Sequence, residues 1–143
     1  MNTKFILAVV LAIIVVAAWA VNAHRNKGFK TVSSEEFAQI IGDTATVQLL
    51  DVRTKEEYEE GHIADALLVD FYSYNFEEQA TAKLSKEKAV AVYCRSGSRS
   101  ASAAQKLVKL GYEVINLAGG ILARQRARNQ RSAADGKARF IAK

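Results

Sequence analysis

Proline is absent from this 143-residue chain, and cysteine occurs once. A single cysteine excludes an intramolecular disulfide and any CxxC pair. With only His24 and His62 beside it, no Cys/His zinc spacing can be assembled either. No metal or cofactor is therefore expected. Internal repeats and low-complexity blocks are also missing, so the chain reads as one domain with non-globular ends. It also lacks a basic face with interleaved aromatics, the footprint of nucleic-acid binding. The net charge of +5 is uneven. Arg124 to Lys143 holds seven basic residues against Asp135, a net +6, which leaves −1 for everything before it. The excess positive charge belongs to a tail, and no nucleic-acid partner is expected.

Phe5 to Val21, FILAVVLAIIVVAAWAV, is a run without a charge. As a helix at ~1.5 Å per residue it reaches about 26 Å, slightly short of a ~30 Å hydrocarbon core. Trp19 suits the interface. Membrane targeting through residues 5–21 is expected, in one of two forms. An uncleaved anchor would end on the polar stop His24-Arg25-Asn26-Lys27. A cleaved signal peptide would use Ala18-Trp19-Ala20 or Val21-Asn22-Ala23 as its small-residue site and release a periplasmic domain. Arg25, Lys27 and Lys30 follow the run closely, whereas Lys4 alone precedes it. That bias disfavours export and favours the anchor, with the facing side left open.

The expected organisation is a membrane or signal segment over 1–23, a linker over 24–31, a domain over 32–124 and a basic extension over 125–143. Within the domain, Ser33 opens a helix with Glu36 closing a capping box, while Val32 and Phe37 form a staple. Val47 to Val52 reads as a buried parallel strand. Thr54 and Glu57 form another capping box, over a short helix that stops at Gly61. Ala66 to Val69, Ala89 to Tyr93 and Val114 to Leu117 read as further strands. Helices are expected over Glu77–Leu84, over Ser98–Leu110 and from Ile121. Strands alternating with helices predict an α/β fold, a parallel sheet flanked by helices on both faces. Ligands in such sheets sit at the carboxyl ends of strands.

Cys94-Arg95-Ser96-Gly97-Ser98-Arg99-Ser100 joins the AVAVY strand to the next helix, at that edge. Most lone cysteines are small buried hydrophobes, but these neighbours point elsewhere. Gly97 permits a left-handed backbone, so successive N–H groups can converge on one point. The following helix adds free amides, and Arg95 and Arg99 add two permanent charges. Each favours an anion at the sulfur, so the Cys94 thiol is expected below its ordinary pKa.

The loop CRSGSR, the segment DVRTKEEYEEGHI (Asp51 to Ile63) and the segment LGYEVINLAGGI (Leu110 to Ile121) resemble the rhodanese superfamily, in the right order. The resemblance implies a sulfurtransferase whose Cys94 takes a sulfane sulfur from a small anionic donor such as thiosulfate. It would pass that sulfur, as a persulfide, to a thiol or cyanide-like acceptor. The amides from Arg95 through Ser96, Gly97 and Ser98 to Arg99 would cradle the persulfide, with Arg95 and Arg99 assisting donor binding. Asp51 and Arg53 match the family's DVR, and either orient the site or pair structurally. His62 matches its GHI element in a structural role. Where the family commonly has Pro-Gly-Ala after that element, this chain has Ala64-Asp65-Ala66, and Arg124 replaces a frequent Trp. Glu57 is accounted for by its capping box.

Two other functions compete. A sulfur-carrying or protein-binding module would have the same loop without rapid turnover. Phosphatase and arsenate-reductase relatives use Cys-x5-Arg, a wider ring than the Cys-x4-Arg found here. A protein partner is not specified. Arg124 to Arg131 reads as a basic helical extension, and Ser132 to Lys143 lacks a period. A solvated tail is the default expectation for it, and contact with anionic lipid headgroups is the alternative.

Overall fold

The computed structural model describes residues 2–25 and 28–141, with backbone alone at residues 5, 18–25 and 133–141. Five parallel strands form the sheet: β1 (Lys30–Val32), β2 (Val47–Asp51), β3 (Leu67–Leu68), β4 (Ala89–Tyr93) and β5 (Val114–Leu117), in the order β1-β5-β4-β2-β3. Helices α4 (Phe76–Lys83) and α5 (Ser98–Lys109) cover one face, where Phe76, Ala80, Ala103, Ala104 and Leu107 pack on Leu50, Val90, Val92 and Cys94. Helices α2 (Ser34–Ile40), α3 (Lys55–Glu60) and α6 (Gly120–Ile141) cover the other, where Phe37, Tyr58 and Ile121 meet Leu49, Ala91, Tyr93 and Leu117. Residues alternate between the faces along each strand, and because both faces are covered the strands read as apolar runs. The central strands β4 and β2 pair over their full lengths, from Val47 opposite Ala89 to Asp51 opposite Tyr93.

Several local expectations are revised. β1 is a fifth strand, in the stretch expected to be linker; with only Val32 buried it is too short to show a period. Asn26 and Lys27 of that linker lie outside the described residues. The strand expected over Ala66–Val69 contracts to Leu67–Leu68. Ser33 accepts from the Glu36 amide at 3.2 Å, but the Glu36 carboxylate turns to Lys30 at 2.5 Å, leaving half a capping box. The box at Thr54 is complete, with the Glu57 carboxylate receiving the Thr54 amide at 3.0 Å. Asp65, in place of the family's glycine, has φ 64, a left-handed conformation that a short polar side chain tolerates. The period-free tail is also revised, because α6 continues as helix to Ile141. Alanines at 133, 134 and 138 favour helix and carry it past Gly136.

Helix α1 (Thr3–Arg25) precedes the sheet. Its described apolar side chains run from Ile6 to Ala17, about 18 Å of helix at ~1.5 Å per residue. Among the described residues no helix is long and apolar enough to cross a membrane. The membrane segment expected over 5–21 is to that extent unsupported, and side chains 18–21 lie outside the description.

Candidate active site

β4 ends at Tyr93, and Cys94 follows at the carboxyl edge of the sheet with no exposed surface. Gly97 takes φ 104, a left-handed turn that reverses the chain ahead of α5. The turn aims the Gly97 N–H at the Cys94 Sγ, 3.0 Å away. Burial pushes the thiol up, but the Ser100 hydroxyl and the amides of Ser100, Gly97 and Ser96 outweigh it, so the Cys94 pKa lies below its ordinary value. Hydrogen bonds favour the ionised form of the group that accepts them. Ser100 is itself fully buried, and its hydroxyl also reaches the Gly97 carbonyl at 3.2 Å.

A second chain segment holds the loop in this form. Gly119 and Gly120 have φ 68 and φ 62. A Cβ on Gly120 would lie 2.4 Å from the Arg95 carbonyl carbon and oxygen and 2.6 Å from the Cys94 oxygen. The first turn of α6 caps those carbonyls: the Ile121 amide donates to Cys94 at 2.9 Å and the Leu122 amide to Arg95 at 3.2 Å. The loop carbonyls are thus turned outward and engaged, and its amides are left for the sulfur.

The two loop arginines differ. Arg99 is committed to Glu57 of α3, with Nη1 to Oε2 at 2.7 Å and Nη2 to Oε1 at 2.8 Å. The pair holds the Glu57 carboxyl down at about 2, chiefly through Arg99, and raises Arg99 above its ordinary value. The Arg99 guanidinium also lies 5.6 Å from the Tyr72 ring centroid. Arg95 stands exposed at the rim, with no carboxylate partner among the described residues. Ser96 and Ser98 are exposed as well.

Asp51 and Arg53 lie on the opposite face from Cys94. Asp51 is fully buried, and Arg53 reaches it through Nε at 3.0 Å and Nη2 at 2.7 Å. Arg53 also donates to the Gly61 carbonyl at 2.8 Å. Tyr93 adjoins the pair, its phenol pushed up by burial and by Asp51, and accepts from the Ile63 amide at 3.1 Å. The DVR residues therefore tie β2 to β4 and to the turn after α3. His62 stacks on Tyr58, with ring centroids 3.6 Å apart, and its Nδ1 lies 2.9 Å from the Tyr58 carbonyl.

A family model described as a rhodanese-like domain matches residues 33–127. The chain belongs to the rhodanese-like family. A sulfurtransferase of Allochromatium vinosum is 39% identical over 93 residues, covering 64% of this chain and 84% of that protein. The thiosulfate sulfurtransferase GlpE of Coxiella burnetii is 39% identical over 93 residues, covering 64% and 83%. A crystal structure of a rhodanese-like domain protein from Staphylococcus aureus superposes with a TM-score of 0.59 at 27% identity, covering 67% of this chain and 91% of that one.

Four residues of this rhodanese-like domain were not picked out by the sequence reading as part of the site. Ser100 was noted only as the position beyond the arginine, yet serine at the third helical position after Gly97 is fully buried against the loop, bonds the Gly97 carbonyl and lowers the Cys94 pKa. Gly119-Gly120 was read as a strand-to-helix turn; two adjacent glycines at such a junction are the signal for a close backbone approach. Glu57 already had a role as a cap, which hid its second one.

Proposed function

We propose that this rhodanese-like domain is a sulfurtransferase that moves a sulfane sulfur from a small anionic donor such as thiosulfate to a thiophilic acceptor through Cys94. The observation that carries the reading is the Gly97 amide on the Cys94 Sγ at 3.0 Å, joined by donors from Ser96 and Ser100. The Cys94 thiolate attacks the outer sulfur of thiosulfate. The sulfur–sulfur bond of the donor breaks, sulfite leaves with the bonding pair, and Cys94 holds a persulfide anion. An acceptor such as cyanide or a thiolate then attacks the terminal sulfur, and Cys94 departs as the thiolate that began the cycle. The amides of Ser96, Gly97 and Ser100 face a sulfur anion at both ends of the cycle, acting as fixed dipoles that need no reorganisation. Arg95 meets the anionic donor at the rim. Arg99, neutralised by Glu57, holds the start of α5 against α3, and Asp51 with Arg53 supports the site through Tyr93.

Incubation with thiosulfate and cyanide is expected to release thiocyanate and sulfite, and thiosulfate alone should add one sulfur atom to the intact mass, removable by dithiothreitol. Retention of that added mass in Cys94→Ser would remove the mechanism. One turnover without a second would favour a carrier, and Cys94-dependent hydrolysis of an aryl phosphate would favour a phosphatase.

The domain is proposed to work at a membrane, held there by α1. Exposed Leu7, Leu11, Ile13, Ile14, Val15 and Val16 support this reading, since nothing described covers them. Cell membranes washed with alkaline carbonate should keep the chain; its release would point to a cleaved leader and a periplasmic domain.

A further inference from the structure

Helix α6 runs unbroken from Gly120 to Ile141, about 33 Å at ~1.5 Å per residue. Its first turn is used by the active site and the core, with Ile121 buried and Leu122 to Arg124 half-buried. Beyond it the helix runs past α2 with Ala127 half-buried, while Gln125, Arg126 and Arg128 to Ser132 are exposed. The stretch from Arg124 to Lys143 carries the net +6 of the chain.

One ion pair ties this helix to α2, and a second beside it ties β1 to the same turn. Arg131 Nη2 lies 3.5 Å from Glu35, and Lys30 Nζ lies 2.5 Å from Glu36. Glu35 and Glu36 form the first turn of α2. The midpoint of α6 and the residue that follows α1 closely in the chain thus meet on adjacent glutamates. Each glutamate is thereby matched by one cation, and Arg126 and Arg128 remain without an acidic partner among the described residues.

We propose that α6 beyond its first turn binds the anionic headgroups of the bilayer that α1 enters; this rests on the membrane reading of α1 given above. Attraction to a charged bilayer fades within a Debye length of about 8–10 Å. A basic helix is useful to a membrane only if it is held near the surface, and its tie to α2, beside Lys30 at the start of β1, keeps it close to the segment that follows α1 in the chain. The rest of the chain, at −1, offers no cationic track along which a nucleic acid could continue, so the partner fits a surface more than a strand.

The test uses the full chain reconstituted into vesicles of phosphatidylcholine alone or with added phosphatidylglycerol. Flotation reports binding, and amide hydrogen exchange over residues 125–141 reports the helix. Flotation with both vesicles is expected, with exchange slowed about tenfold only in the anionic ones. High salt should abolish the slowing, as should the combined variant Arg126→Gln, Arg128→Gln, Lys137→Gln and Arg139→Gln. Thiosulfate turnover in that variant should be unchanged. Flotation with both vesicles and equal exchange in both would overturn the headgroup inference while leaving the anchor intact. Flotation with neither overturns the anchor reading and, with it, the inference. Flotation with anionic vesicles alone overturns the anchor and, with it, the inference, in favour of purely peripheral binding. Slowing by a polynucleotide in place of phosphatidylglycerol would also overturn the inference, in favour of nucleic acid.

Discussion

On the α4/α5 face of the sheet, Cys94 meets neutral donors, the Gly97 amide at 3.0 Å among them. On the α2/α3/α6 face, Asp51 meets a full counter-charge, the Arg53 guanidinium at 2.7 Å. Both acidic groups are fully buried, but they are suited to opposite uses. An anion matched by a cation is chemically quiet, and its removal leaves the partner buried and unpaired. An acid whose pKa is lowered by amide and hydroxyl dipoles gives, on ionising, an anion whose electron pair stays available, because no counter-charge is committed to it. Two strands and a difference in partner separate a structural charge from a reactive one.

That contrast is sharpest in two substitutions. Cys94→Ser should lower thiocyanate formation by about a thousandfold or more and leave the melting temperature within about 2 °C. Asp51→Ala should do the reverse, costing about 3–5 kcal/mol in urea unfolding by stranding Arg53, with near-normal turnover per folded molecule. Equal losses of turnover in the two variants would erase the distinction between the faces.

Gly120→Ala tests whether the dipoles depend on the α6 clamp. A methyl group 2.4 Å from Arg95 backbone atoms should cost about 2–4 kcal/mol and, by displacing the loop, slow turnover about a hundredfold. Ser100→Ala removes the side-chain donor that lowers the Cys94 pKa. Its pH–rate profile should move to the alkaline side, with turnover on the acid limb down about tenfold; an unmoved profile would mean that the amides suffice. The smallest effect is expected from Glu57→Gln. The Glu57 carboxyl is held at about 2 against 4.5, so the ion pair stabilises the fold above pH 4.5 and is lost as pH falls toward 2. Denaturant midpoints should fall across that window in the parent and less steeply in the variant.

The legibility of the sequence followed the range of each interaction. The Cys94 loop, the Thr54 capping box and the left-handed Asp65 turn are local, and residue types at close spacing specify them. The strands β2, β4 and β5 were readable because burial on both faces makes them mostly apolar. β1 was not, since a three-residue edge strand buries one side chain. The long-range features were hidden: Glu57 meets Arg99 across 42 positions, and no local pattern points from Gly120 to Arg95. Nor did spacing reveal that Arg99, which looked like a donor-binding charge, is already paired. The length of α6 was missed because a helix without an apolar period still forms on alanine propensity.

Complete burial of the Cys94 sulfur sets a schedule for its reactivity. A sulfur–sulfur bond is about 2.05 Å long, so a persulfide moves the reactive atom that far from the strand end, toward the mouth. Unloaded, the buried sulfur is sheltered from bulky oxidants and stray electrophiles. On the proposed mechanism, the loaded outer sulfur would be the atom that an acceptor meets first. The cargo itself would then extend the reach of a sulfur that the fold otherwise keeps buried.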